Sequence, residues 1–254
     1  MSRSLLAVMC LLALVTCVSA SSTLYIGNDT NTPVTVYLSN GTFVQYFGQN
    51  SATGSAINSA GDVWTVAPSF GNNQVVEYSP TQTVLNSFVA TINGQWVEDM
   101  SHGAGNTLWL GTYEGNVFAV NDQTGAILSS FSVPNSSFTG VAWDGTNLWL
   151  SGGLTTNALY YYTTGGTLLN TVPLGAFCMG LGYDASDGTL YCGNNPNVNH
   201  YDTAGNLLGS FTAMGYYHDG LEVANLGNPV PEPSTLVFVG TGLAALCAHL
   251  RKRV

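Results

Sequence analysis

An all-β fold made of repeated four-stranded sheets is predicted by three observations. First, Gly140 to Leu174 holds four short apolar or aromatic runs, GVAWD, NLWLS, ALYYY and TLLNTVPL. Gly, Asn, Asp and Thr separate them, which is the pattern of antiparallel strands joined by tight turns. Second, the aromatic of the second run recurs as Tyr25, Trp64, Trp109, Trp149 and Tyr191, at spacings of 39, 45, 40 and 42 residues. Those intervals match the ~40–45 residues of one propeller blade. Third, one such sheet alone would leave both apolar faces in water, so it needs copies of itself to stack against. Five copies closed into a ring, a five-bladed β-propeller, is the predicted arrangement. An open sandwich or a solenoid of the same repeats is the competing one.

The elements follow in order. Residues 1–20 carry Arg3, the apolar run Leu5 to Val18 and the small-residue site Val18-Ser19-Ala20. These are the features of a secretory signal peptide, with cleavage expected after Ala20. The first sheet, Thr23 to Gly48, begins at a second strand, TLYIG, and continues with PVTVYL and TFVQYF. Ser55 to Ala90 supplies a full set, SAIN, DVWTV, VVEYS and VLNSFV, and Trp96 to Val133 supplies WVEDM, TLWLG, NVFAV and ILSSFSV. After the Gly140 to Leu174 copy, Gly180 to Phe211 gives GLGYD, TLYCG, VNHYD and LLGSF. Gly220 to Ala224, GLEVA, is one further first strand with nothing after it, and it is the piece the first sheet lacks. Pairing of this last strand with the first closes the ring and leaves no unpaired blade. The propeller is thus expected over residues 21–226, with a linker and tail over 227–254.

The turns carry the residues that turns need. Asn40-Gly41, Asp122 with Gly125, Gly165-Gly166 and Asp202 with Gly205 fall between third and fourth strands; Asp144-Gly145 and Asp187-Gly188 fall between first and second. This reading assigns Asp122, Asp144, Asp184, Asp187 and Asp202 to structure rather than to a ligand. Cys178 and Cys192 are the cysteines left between the leader and the tail, and a hairpin centred near Ala185 would set them opposite each other. Export permits a disulfide. Strain across neighbouring strands, and the habit of Cys to act as a small buried apolar residue, argue against one. Both states stay open.

Charge narrows the partners. Charged residues are 7% of the chain, and its four basic residues are Arg3, Arg251, Lys252 and Arg253, so the body between them holds all fourteen acids and no Lys or Arg. Such a body repels phosphate backbones, which excludes a DNA or RNA partner. A cation, a neutral sugar or a basic surface stays admissible.

Site candidates come from the connections between fourth and first, and between second and third strands. Trp96, Tyr113 and Tyr217 lie there with amides around them, and exposed aromatics among amides suit sugar rings, which offer apolar faces and hydroxyl rims. Packing between blades is the competing role for any one of them. A second constellation is acidic: Glu98, Asp99 and His102 in one first strand, His218, Asp219 and Glu222 in another. Carboxylates gathered in this way can hold Ca²⁺ through oxygen or act as an acid and base pair. The sequence has no EF-hand loop, no zinc spacing, no Gly-x-Ser-x-Gly elbow and no phosphate loop.

The tail reads Val230-Pro231-Glu232-Pro233-Ser234, then the apolar stretch Thr235 to Leu250, then Arg251-Lys252-Arg253. Sixteen residues of helix reach about 24 Å, a minimal transmembrane anchor for the ~30 Å hydrocarbon core. Basic residues outside both apolar stretches leave the two ends cytoplasmic and the body exported. Pro231-Glu232-Pro233, a short span and the basic cluster Arg251, Lys252, Arg253 in that order resemble the PEP-CTERM sorting tail of Gram-negative bacteria; an ordinary C-terminal anchor is the competing reading. The resemblance implies an exosortase-type membrane enzyme as partner, transient or permanent membrane attachment through the tail, and delivery to the cell surface alongside exopolysaccharide. A non-enzymatic, polysaccharide-associated surface propeller is therefore expected. A secreted, metal-assisted glycan lyase or hydrolase using the acids at the channel mouth is the alternative.

Overall fold

The computed structural model describes residues 21–29, 31–69, 72–133, 140–152, 155–215 and 217–224. The expected signal peptide and the tail, with Pro231, Glu232, Pro233, Arg251, Lys252 and Arg253, lie outside the described residues. Ser21–Asn225 forms one compact unit. Its first strands are β1 (Thr23–Ile26), β2 (Pro33–Leu38) and β3 (Phe43–Asn50). Four sets of four follow. The first set is β4 (Gly54–Ile57), β5 (Val63–Ser69), β6 (Asn72–Tyr78) and β7 (Val84–Ala90), and the next is β8 (Val97–His102), β9 (Thr107–Thr112), β10 (Asn116–Asn121) and β11 (Ile127–Ser132). The last two are β12 (Val141–Trp143), β13 (Leu148–Ser151), β14 (Ala158–Tyr162) and β15 (Leu168–Pro173), then β16 (Leu181–Asp184), β17 (Thr189–Asn194), β18 (Asn197–Tyr201) and β19 (Leu207–Thr212). β20 (Leu221–Ala224) ends the series. Among the described residues no helix is long and apolar enough to cross a membrane.

Each set of four is one antiparallel sheet, and the fifth sheet has the order β20-β1-β2-β3. The two ends of the body pair as expected: Leu24 stands opposite Val223, and Tyr25 opposite Glu222. The fold is a five-bladed β-propeller closed by its first and last strands. Burial falls from the axis outward, because β4 and β20 are buried along their whole length whereas β11 and β15 expose most of theirs.

The core is divided among the seams between blades. Trp64, Val66 and Val75 meet Met100, Leu108 and Leu110 in one seam. The other described clusters hold Tyr25, Trp149, Trp109 and Tyr191, so each seam receives one of the recurring aromatics. The repeat in the sequence is therefore a repeat of seams. Burying one such ring contributes about 3–5 kcal/mol relative to Ala, which is why the aromatic persists where its neighbours vary.

Turns between third and fourth strands double as contacts between blades. Gly125 has φ +70, and a Cβ there would lie 2.5 Å from the Phe88 ring of the preceding blade. Gln82 fills the equivalent corner of the β6–β7 turn at φ 62. Its amide donates to the Tyr46 carbonyl at 3.2 Å and its oxygen accepts from the Gly48 N–H at 3.4 Å, tying the corner to the neighbouring blade by other means.

The cysteine hairpin is offset from the sequence expectation. Leu181, not Cys178, stands opposite Cys192, because the turn runs from Ala185 to Gly188 and so is centred beyond Ala185, with Gly188 N–H donating to the Asp184 carbonyl at 2.8 Å. Cys178 lies in the lead-in to β16 and is joined to Cys192 by a disulfide, with Cα atoms 5.4 Å apart. Both sulfurs are buried in the seam with Leu174 and Leu190.

Candidate functional site

In every blade the strands alternate in direction, so the connections fall on two faces. The fourth-to-first and second-to-third connections share an upper face; the first-to-second and third-to-fourth turns share a lower one. The predicted site residues separate between these faces.

On the upper face Trp96, Glu98, Tyr113, Tyr217 and Asp219 come together. The Trp96 N–H donates to the Glu114 carboxylate at 3.1 Å, and its carbonyl accepts from the Tyr113 N–H at 3.0 Å. Tyr113 and Tyr217 are exposed, and the Tyr217 carbonyl accepts from the Asp29 N–H at 3.4 Å. Glu98 is the bulge residue between Val97 and Asp99 in the pairing with β9. Burial pushes its carboxyl up to about 9, with like charge from Asp219, Asp29 and Glu114 adding to the effect. Burial also pushes Asp219 up to about 7, again with Asp29 contributing. Asp29 and Glu114 belong to this group although the sequence reading did not name them. His218 does not: its ring is fully buried, and its carbonyl accepts from the Gly180 N–H at 2.8 Å. Burial pushes the imidazole pKa down, partly offset by the backbone at Met214 and Asn197.

Asp99 sits at the axis and is a structural bolt. Its Oδ1 accepts from the N–H groups of Met100 at 2.8 Å and Leu221 at 3.1 Å; its Oδ2 accepts from Val141 and Leu181, both at 3.1 Å. Four inner strands, β8, β20, β12 and β16, are thereby held by one side chain. Register explains why one carboxylate can reach them all. The positions equivalent to Asp99 in the other blades are Gly54, Gly140, Gly180 and Gly220. A Cβ at Gly220 would lie 2.8 Å from Asp99 Oδ1 and only 2.2 Å from the Thr53 carbonyl oxygen. Burial pushes the Asp99 pKa well up, while the N–H groups of Leu181, Val141 and Met100 pull it down. With every in-plane lone pair taken, a proton has nowhere to sit, so the geometry fits the ionised form.

Below this bolt a cavity of about 670 Å³ opens on the lower face. All five inner strands or their turns line it, through Ile57, Ser101, Trp143, Ala185 and Glu222, so it lies on the propeller axis. Four carboxylates border it: Glu77, Asp122, Asp144 and Glu222. Asp144 is satisfied, its Oδ1 accepting from Thr146 and Asn147 at 2.9 and 2.8 Å and its Oδ2 from the Tyr161 hydroxyl at 2.7 Å. Glu77 accepts from the Gln123 amide at 3.4 Å. The expected turn role of Asp122 goes instead to Asn121, whose Oδ1 accepts from the N–H groups of Gln123 and Thr124 at 3.1 and 3.0 Å. Asp122 Oδ2 lies 3.3 Å from His102 Nε2, and its Oδ1 is buried without a hydrogen bond. Glu222 Oε1 accepts from the Val223 N–H at 3.1 Å, and Oε2 is buried away from the cavity surface. Burial pushes Glu222 up to about 8, with Ser101 and the N–H groups of Val223 and His102 pulling the other way.

Two indoles border the cavity: Trp143 is half-buried and Trp64 is packed into the seam behind it. Trp64 is set by packing against His102, ring centroids 4.9 Å apart, and its Nε1 donates to the Asp122 carbonyl at 3.3 Å. The Trp143 N–H donates to Ser101 Oγ at 3.0 Å. Of the predicted residues, Glu222 and His102 reach this cavity; Asp122 and Trp143 carry turn and strand expectations in the sequence. The available signal was Asn121, a second turn-forming residue directly beside Asp122. Among the described residues no group of three or more His, Cys, Asp or Glu is placed to hold a metal ion.

The fold and its axial cavity define a five-bladed all-β propeller. Residues 229–253 match the PEP-CTERM protein-sorting motif, so this is an exported, surface-associated propeller, and the motif implies an exosortase-type partner. No curated protein matches the sequence. Similar solved structures include a protein of unknown function from Bacteroides caccae, at 15% identity over 76% of this chain and 73% of that one, with a TM-score of 0.48. Another is a chain of a Mitotic Checkpoint Complex, at 15% identity over 65% of this chain and 51% of that one, with a TM-score of 0.46.

Proposed function

We propose that the protein is a non-enzymatic binding propeller of the cell surface whose ligand is extracellular polysaccharide, held in the lower-face cavity. The observation that carries this reading is the cavity itself. Its volume of about 670 Å³ falls within the ~300–1,000 Å³ of ordinary ligand pockets. It combines the half-buried indole of Trp143 with amides at Asn58, Asn106 and Gln123. Indoles cover the apolar face of a sugar ring, and amides and carboxylates meet its hydroxyls. Trp96, Tyr113 and Tyr217 on the upper face offer a second, shallower surface along which a polymer can run. Attachment to the membrane through Thr235 to Leu250, before the tail is processed, belongs to the same reading.

The experiment is a binding screen of matrix polysaccharides against the full-length protein and its Trp143→Ala variant. Binding is expected to weaken at least ~10-fold in Trp143→Ala; binding that is absent, or indifferent to Trp143, overturns the reading. Trp96→Ala and Tyr217→Ala measure the share of the upper face. The rival, a glycan lyase or hydrolase, draws on Glu222, whose raised pKa suits a general acid. Turnover of the same polymers that disappears in Glu222→Gln would establish it instead.

A further inference from the structure

We propose that copies of this protein associate rim to rim, the outer strand of a blade in one copy meeting an outer strand of a second copy. The surface is formed by β3, β7, β11, β15 and β19, each the end strand of its sheet on the side away from the axis. Among the described residues, every exposed large apolar side chain lies on these five strands except Tyr113, Phe177, Met214 and Tyr217. Each strand also breaks register at the same point, where one extra residue bulges out: Val44, Leu85, Leu128, Leu169 and Leu208. A bulge re-aims its side chain, and all five of these are aliphatic and exposed. Single exposed apolar residues are ordinary, but the same one repeated on every rim marks a surface that meets something.

Charge and sequence select a second copy as the occupant. None of the five strands holds Asp, Glu, Lys, Arg or His; the acids of the body lie on the other strands and on the loops of the two faces. Two copies approaching face to face bring like charges together, whereas two rims meet without them. The outer runs FVQYF, VLNSFV, ILSSFS, LLNTV and LLGSF are uncharged and free of Pro, the composition of strands that pair with their own kind. Open edges are ordinarily guarded by Lys, Pro or an inward charge. Here the bulge blunts the first residues of each strand, and the edge beyond it carries no such guard. Asp202, in the turn before β19, would repel an anionic bilayer brought to the same rim. One rim is only six to eight residues long, too small for the ~1,200 Å² of a stable dimer. Each contact is therefore weak, and five per molecule add up through valency.

The test is sedimentation velocity of the exported protein at rising concentration, beside two variants that put one charge on every rim. One carries Val44→Lys, Leu85→Lys, Leu128→Lys, Leu169→Lys and Leu208→Lys; the other carries Glu at the same five positions, and each is checked for a native melt. The wild type is expected to form concentration-dependent oligomers, and each variant alone to associate at least ~10-fold more weakly. An equimolar mixture of the two is expected to recover association, because Lys rims then meet Glu rims. If the five substitutions prevent folding, Ser87, Ser130, Thr171 and Ser210, exposed polar positions on the same strands, carry the Lys and Glu instead. Wild-type protein that stays monomeric up to its solubility limit overturns the proposal; if it then binds phosphatidylcholine vesicles in a way the rim charges abolish, lipid is the occupant. Association indifferent to both charge sets puts the contact elsewhere and overturns the rim. Loss in both variants without recovery on mixing overturns the like-to-like contact.

Discussion

A carboxylate has four in-plane lone pairs, and at Asp99 each one meets a backbone N–H, from Met100, Leu221, Val141 and Leu181. Asn in its place would aim an amide N–H₂ at two of those donors. Asp99→Asn is therefore expected to cost about 3 kcal/mol or more of stability, read as a lower urea midpoint; a variant of wild-type stability would show that Asp99 does not hold the axis. Sequence reasoning picked Asp99 as a ligand residue because it stands beside Glu98 and near His102. Its actual role depends on Gly54, Gly140, Gly180 and Gly220 meeting at one line in space, and no local pattern announces that. Asp122 is the converse case: its distance to Gly125 suggests a turn, but Asn121 takes the turn and leaves Asp122 facing the cavity.

At the scale of elements, each third-to-fourth turn touches the blade before it. Gly125 needs both its positive φ and its missing side chain, because the Phe88 ring fills the space where a Cβ would go. Gly125→Ala is expected to destabilise by about 2 kcal/mol, measured by chemical unfolding. An equal loss in a Phe88→Ala background would show that the φ cost alone is responsible, and a smaller loss there separates the packing part. The strands themselves were legible because aromatic and β-branched runs alternate with Gly, Asn and Asp at a nearly constant interval. Register was less so: the pairing opposite Cys192 depends on whether the turn is centred at Ala185 or, as found, between Ser186 and Asp187, and both fit the local composition.

For the molecule as a whole, the missing Lys and Arg leave buried acids without counter-ions. Burial raises Glu98 to about 9, Glu222 to about 8 and Asp219 to about 7. In the unfolded chain these groups ionise near their ordinary values of roughly 4. Between those values the folded state holds more protons than the unfolded one, so stability is greatest in mild acid and falls as pH rises through the folded pKa values. A series of melts from about pH 5 to about pH 9 is expected to show a declining Tm; a flat or rising series would mean that these carboxyls are ionised in the fold. Closure was legible in the sequence, since a lone first strand at one end answered a missing one at the other. The cavity was not, because it is made by five separated segments.

The pairing of Leu24 with Val223 ties one of the earliest residues of the body to one of its last. Until that pairing forms, β1 keeps one edge bare. The wheel shuts only through Leu221 to Ala224, which stand a few residues ahead of the sorting motif at 229–253. Any truncation that removes the sorting motif together with Leu221 to Ala224 would therefore also leave the wheel open.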